Sequence, residues 1–224
     1  MINFISIYFG LWHSAISILL IVLLVIIANK KKLFNVNKLI SILCLIDLSS
    51  YNFYIIVYEM HNLINLLPIH LCYLTEIMIF ANVAFNIKID TNLIYLNSVV
   101  GGIAGLLNNN LTSDMQSIFF LHHYMAHFIL ALFVIQFYDR IILSLRVLIS
   151  SIIKTASLLI FAILFNNIFG TNYWFTVEKP EGNNLTLLFP ESPWHLYLLI
   201  ALGLLIYISM YNIHTYKQNN YKIR

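Results

Sequence analysis

The stretch "LIYLNSVVGGIAGLL", residues 93–107, is apolar enough to enter a membrane but short for crossing one. It carries Gly101, Gly102 and Gly105. Small residues in such a run mark either close helix packing or a broken, re-entrant segment. The choice decides how many times the chain crosses the bilayer, and on which side every later loop falls.

Composition sets the frame for that choice. Of 224 residues, 61% are hydrophobic and only 9% are charged, and the mean hydropathy is +0.85. A soluble domain of this length carries far more charge. The apolar segments are long and continuous, whereas barrel strands alternate over about ten residues. The expectation is therefore an all-α, polytopic membrane helical bundle, a single transmembrane domain over residues 1–224. Seven spans are read, at about residues 6–28, 39–59, 66–86, 92–109, 117–138, 147–169 and 194–213. Lys30–Lys32 follow the first apolar run instead of preceding it, so that run reads as a retained span and not as a cleavable signal.

Basic residues settle the parity. With seven spans and the N-terminus outside, Lys30, Lys31, Lys32, Lys38, Lys88, Arg140, Arg146, Lys154, Lys217, Lys222 and Arg224 all fall at the inner side. Only Lys179 falls outside, so 11 of the 12 basic residues obey the positive-inside rule. Removing the fourth span would put Arg140, Arg146 and the basic tail outside. The fourth segment is therefore expected to span, with the C-terminus inside. This arrangement puts residues 108–114 and 170–193 outside, with N-x-T sequons at Asn110 and Asn184.

The outer half then holds most of the chemistry. In "LPIHLCYLTE" (67–76) the third span enters at Pro68, so Cys72 lies roughly 6 Å in and Glu76 about 12 Å in, at 1.5 Å per residue. In "SIFFLHHYMAHF" (117–128) His123 and His127 are spaced i, i+4 on one face, at about 9 and 15 Å depth. A thiol on one helix and imidazoles on another thus occupy one layer. His70 and His122 point aside. Glu76 needs a partner, because a lone carboxylate in hydrocarbon is protonated or paired, and His127 offers itself. Asp47 and Cys44 are assigned to the inner half. Asp47, Tyr51 and Tyr54 form a stripe read as a buried polar seam, and Cys44 reads as an apolar filler.

A thiol and an imidazole at one depth can act as nucleophile and base, and phospholipid ester carbonyls lie just below the headgroups. The spacing alone leaves two other classes open. His70, Cys72, His123 and His127 are adequate zinc or copper ligands for a metal-dependent membrane enzyme or permease. The same cluster also suits a solute-binding carrier, although no inverted repeat supports one.

The order of "LPIHLC", "GGIAGLL", "HHYMAH", "NYWFTVEKP" and "ESPWHLY" resembles that of the YwaF-type membrane proteins, a family related to the transmembrane protein 164 group of lipid acyltransferases. The likeness in motifs runs from about Leu66 onward, while the first two spans match in hydropathy. The resemblance implies a multi-pass enzyme of the plasma membrane that moves a fatty acyl chain between phospholipids through an acyl-cysteine. By position, Cys72 would be the acylated nucleophile and His127 its general base. His70, Asn172 and Tyr173 are candidate oxyanion donors or orienting groups, Glu76 is a supporting carboxylate, and Lys179, His122 or His123 could hold phosphate. The partners are phospholipids and lysophospholipids, with no nucleic acid. No ATP, acyl-CoA or metal is required if the donor is another lipid. Two departures stand out: family members often carry Pro-Asp where this chain has "NNN" from Asn108, and a Gln near His123. They bear on headgroup recognition and on the role of His123.

Overall fold

The computed structural model describes residues 4–30, 35–107, 117–180 and 188–222. Lys31, Lys32, residues 108–114 with the Asn110 sequon, the Asn184 sequon and Arg224 lie outside them. The described regular structure is helical: α1 (Phe4–Asn29), α2 (Val36–Tyr58), a short α3 (Leu63–Leu66), α4 (Leu71–Phe85), α5 (Thr91–Leu107), α6 (Ser117–Phe137), α7 (Leu145–Phe169) and α8 (Trp194–Lys222).

Helix boundaries follow local chemistry. The Asn35 side chain caps α2 by accepting from the amide of Lys38 at 3.0 Å. Asp90 does the same for α5, accepting from Asn92 at 3.1 Å and Leu93 at 3.3 Å, and Ser144 caps α7 through Val147 at 3.3 Å. These side chains satisfy amides that have no partner within the helix. At the other end, α7 stops at Gly170, whose φ of +68° favours a residue without a Cβ.

The third span departs from the sequence expectation. Instead of one helix over 66–86, α3 and α4 are separated by an extended step and bent by 90°. Leu67, held extended at φ −60° and ψ 151° by the proline that follows it, makes the break. Thus α4 begins at Leu71 and has 15 residues, about 22 Å at 1.5 Å each. By length and composition, α1, α2, α6, α7 and α8 can each cross a membrane, and the bent pair adds a sixth. At 17 residues α5 falls short of an unaided crossing.

Packing explains how so short a helix is accommodated. Every residue of α5 from Leu93 to Val99 is buried, and α5 contacts α4, α6, α7 and α8. It is the core of the bundle. Its glycines face α6: a Cβ on Gly102 would stand 3.1 Å from the backbone nitrogen of Ala131, and one on Gly101 would stand 2.8 Å from Leu130. The glycine run is therefore a close-packing surface within a continuous helix. Polar pins hold the other side of α5. Thr155 donates to Asn97 at 3.1 Å and lies 3.0 Å from the Tyr207 hydroxyl, which also bonds Asn97. Tyr95 pairs with His214 at 3.1 Å. By contrast α1, α7 and α8 leave rows of large aliphatic residues uncovered, such as Ile153, Ile160 and Leu164 on α7. Acyl chains suit such surfaces.

The two ends of the bundle differ. One end gathers the basic linkers: Lys154 pairs with Asp90, Lys217 with Asp139 at 2.8 Å, and Lys88 and Arg140 line a shared pocket with Asn37 and Asn86. The opposite end holds the α3–α4 break and the loop after α7.

The close approach of α5 and α6 yields a direct prediction. Gly102→Ala should destabilise the protein by about 1–3 kcal/mol, because the added methyl meets backbone that cannot rotate away. Gly203→Ala on α8, where a Cβ meets nothing within 4 Å, should be neutral or gain about 0.5–1 kcal/mol. Thermal unfolding in detergent compares the two, and equal effects would contradict the packing described.

Candidate functional site

The α3–α4 break puts His70 at the N-cap of α4 and Cys72 in its first turn. Helix α6 packs beside α4 and carries His122, His123 and His127. Between them stands the glycine face of α5. A Cβ on Gly101 would lie 3.0 Å from Cys72 Sγ, and one on Gly105 would overlap the His127 ring, 2.1 Å from its Nδ1. Glycine is thus required at 105 for the imidazole to occupy this face, and at 101 it leaves room for the thiol.

His127 is fixed by one strong contact. Its Nδ1 lies 2.8 Å from the Gly101 carbonyl oxygen. A carbonyl only accepts, so Nδ1 carries the hydrogen and the lone pair of the neutral ring is on Nε2. Cys72 and His127 therefore both border Gly101, the thiol beside the place a Cβ would take and the imidazole at its carbonyl. His123 repeats the device one turn away. Its Nε2 donates to the Gly105 carbonyl at 3.1 Å, and its ring meets the His127 ring edge-on at 4.5 Å. Cys72 is half-buried, while Cys44 is fully buried, and both are free thiols.

The loop after α7 straps the broken helix. Trp174 donates its amide to His70 Nδ1 at 3.3 Å and its indole Nε1 to the Ile69 carbonyl at 2.7 Å. The Tyr173 hydroxyl donates to the Ile64 carbonyl at 2.8 Å. The rings of Tyr173 and Phe175 stand 5.0 and 5.5 Å from that of His70. Trp174 and Phe175 hold φ values of +58° and +54°, a conformation that costs non-glycine residues of order 1–3 kcal/mol each. The strap is held from behind by Asn166 of α7, which bonds Thr171, Tyr173 and Thr176. His195 of α8 adds a donor to the Phe175 carbonyl at 2.8 Å.

Of the residues singled out from the sequence, His127 and His123 bond the glycine face of α5, Cys72 stands beside Gly101 of that face, and His70 and Tyr173 meet at the strap. Asn172 and Lys179 are engaged elsewhere. Asn172 closes its own loop by accepting from Val177 at 3.0 Å and Glu178 at 3.2 Å. Lys179 pairs with Glu191 at 2.7 Å. Glu76 does not turn to His127, its expected partner; it groups with Asp47 and His122, whose ligand atoms lie within 4.8 Å of one another and of its own. Asp47, assigned to the inner half, thereby joins the histidine-bearing helix, accepting from His122 Nδ1 at 2.9 Å. The four ligands of the metal alternative, His70, Cys72, His123 and His127, do not bring three donor atoms together in this way. His13 of α1, unremarked in the sequence, is buried and bonds the Tyr124 hydroxyl at 2.6 Å. Asn166 was equally silent as a functional signal, whereas His195 belongs to the outer segment expected to cover this layer.

Fold and site together define a multi-pass helical membrane protein in which His70, Cys72 and Glu76 of the broken helix gather with Asp47 of α2 and the histidines of α6. The chain belongs to the TMEM164 family, whose model matches residues 5–211. The match is to the family as a whole, and it extends over the first two helices. No curated protein and no solved structure matches the chain.

The two thiols differ enough in exposure to be told apart chemically. A small membrane-permeant alkylating reagent should modify Cys72 before Cys44, which is 0% exposed. Peptide mass mapping over a time course reads this directly, and equal rates would contradict the burial of Cys44.

Proposed function

We propose that the protein is a phospholipid acyltransferase that works through an acyl group on Cys72, with His127 as general base. The observation that carries this reading is the convergence of Cys72 and His127 on Gly101, with the His127 ring held so that Nε2 bears the lone pair. The family resemblance in the motifs around both residues points the same way.

In the proposed cycle, Nε2 of His127 takes the thiol proton of Cys72, and the thiolate attacks the carbonyl carbon of a phospholipid ester. The ester C–O bond breaks, the departing lysolipid oxygen receives the proton from His127, and a thioester remains. The hydroxyl of a second lysolipid then gives its proton to His127 and attacks the thioester. The C–S bond breaks, and the proton returns to the cysteine. Free amides in the first turn of α4 and the groups around His70 are the candidates to receive charge on the carbonyl oxygen. His123, one turn from His127, is the candidate to contact the headgroup or to hold the His127 ring. Water in place of the acceptor lipid would make the same machinery a hydrolase.

The proposed topology is seven crossings with the N-terminus outside, α5 being the short fourth. This reading rests on the basic linkers at one end of the bundle and puts the dyad near the outer leaflet of the plasma membrane. A reporter fused after Arg224 should read as internal, and an external reading would overturn the orientation.

The chemistry is tested by substitution. Cys72→Ser keeps a small polar group and should cost about 1 kcal/mol of stability at most, yet should lose nearly all transfer of a labelled acyl chain between phospholipids in proteoliposomes. A serine hydroxyl is far harder to ionise than a thiol. His127→Ala should abolish transfer as well, and the double variant should be no worse than either single one. Cys44→Ser should transfer near the wild-type rate. A folded Cys72→Ser protein with wild-type transfer would refute the acyl-cysteine.

A further inference from the structure

Three helices that pack against one another, α2, α4 and α6, each send one ionisable side chain to a common point beside the dyad. These are Asp47, Glu76 and His122, with one ligand atom from each lying within 4.8 Å of the other two. The proposed acyl transfer uses none of them as nucleophile or base.

Their environment is incomplete as it stands. Asp47 and Glu76 are 1% and 0% exposed. Asp47 Oδ2 accepts from His122, but Asp47 Oδ1 and both oxygens of Glu76 have no donor. Glu76 stands within hydrogen-bonding reach of the Asp47 carboxylate, so the two groups face each other acceptor to acceptor unless a proton or a cation lies between them. Among the described residues the lysine ion pairs are made elsewhere, with Asp90, Glu191 and Asp139, so no such side chain neutralises the two carboxylates. Buried carboxylates without cation or donor are costly. The imidazole, in contrast, is rigidly set: Tyr51 stacks on it at 3.8 Å and Tyr73 meets it edge-on at 4.9 Å.

We propose that Asp47, Glu76 and His122 form a binding site for one divalent transition-metal ion, of which Zn²⁺ is the best fit. The donor set is two carboxylate oxygens and one imidazole nitrogen, suited to a borderline cation that would complete its shell with water. A charge of +2 offsets two carboxylates, and the metal fills the gap between oxygens that no donor reaches. Binding through His122 Nδ1 needs that nitrogen's lone pair, so the neutral ring carries its one hydrogen on Nε2 instead, a tautomer change that replaces the bond to Asp47 with the bond to the metal. Glu76 lies four residues after Cys72 on α4, and His122 five residues before His127 on α6. An ion here would fix the register of the two helices that carry the dyad. The site stands independently of the acyl-transfer reading.

The test uses the full-length wild-type chain in detergent, stripped with chelator and then titrated with Zn²⁺ or Co²⁺. Expected are one equivalent of zinc by elemental analysis, a raised melting temperature, and a Co²⁺ spectrum with d–d bands but no thiolate charge-transfer band. Cys72→Ser should leave all three unchanged. Asp47→Asn, Glu76→Gln and His122→Asn should each weaken zinc binding at least tenfold and remove the thermal shift. A wild-type protein that takes up no stoichiometric metal overturns the proposal in favour of a shared proton between the carboxylates. Zinc retained undiminished in the three variants overturns it too, as does a thiolate band lost in Cys72→Ser. If the variants fail to fold, the wild-type stoichiometry and the cobalt spectra decide alone.

Discussion

Helices α5 and α6 approach closely along Gly101, Gly102 and Gly105, and the remaining structure is arranged around that contact. With no side chain on that face, the backbone of Ala131, the ring of His127 and the thiol of Cys72 all come up against α5. In a bilayer there is little hydrophobic gain from bringing two apolar helices together, so contact of this kind depends on close packing and on hydrogen bonds between helices. The His127–Gly101 and His123–Gly105 bonds supply the second term on the same face that supplies the first. One small-residue stripe thus does two things: it lets a short helix become the core, and it makes room for the polar groups.

The break at Pro68 is the complementary constraint. A continuous third helix would bury its amides in its own hydrogen bonds past residue 70. The break instead starts α4 at Leu71, gives Cys72 a position in a first turn, and frees the Ile64 and Ile69 carbonyls for the strap. Irregular backbone at membrane depth is tolerated where protein covers it, and residues 171–176 provide that cover. The positive φ values of Trp174 and Phe175 are sustained by the bonds from Asn166, His195 and His70. Strain of this kind persists where surrounding contacts over-determine it.

Much of this was legible in the sequence, for reasons that can be named. Hydropathy fixes helical membrane segments because each must satisfy its own backbone, so the helices α1, α2, α6, α7 and α8 lie where their apolar runs are. The i, i+4 spacing of His123 and His127 puts them on one face whatever surrounds them, and that face meets the glycines. What was hidden depended on tertiary geometry. Pro68 signals a boundary, but not a 90° bend. Asp47 read as an inner-half residue from its distance along α2, yet its carboxylate meets His122 of α6. Asn166, buried in the last turns of α7, looks like one more asparagine in an asparagine-rich chain, although it holds the strap. His13 gave no signal because its partner, Tyr124, lies 111 positions away.

The central claim is that Cys72 carries the acyl group in transit. Intact mass measurement of the purified protein after incubation with phospholipid of a single acyl composition, before and after hydroxylamine, tests it most directly. An adduct of one acyl chain that maps to Cys72, disappears with hydroxylamine and is missing from Cys72→Ser is the predicted result. Transfer of acyl chains by the same preparation with no adduct on Cys72, even when the acceptor lipid is withheld, would contradict it.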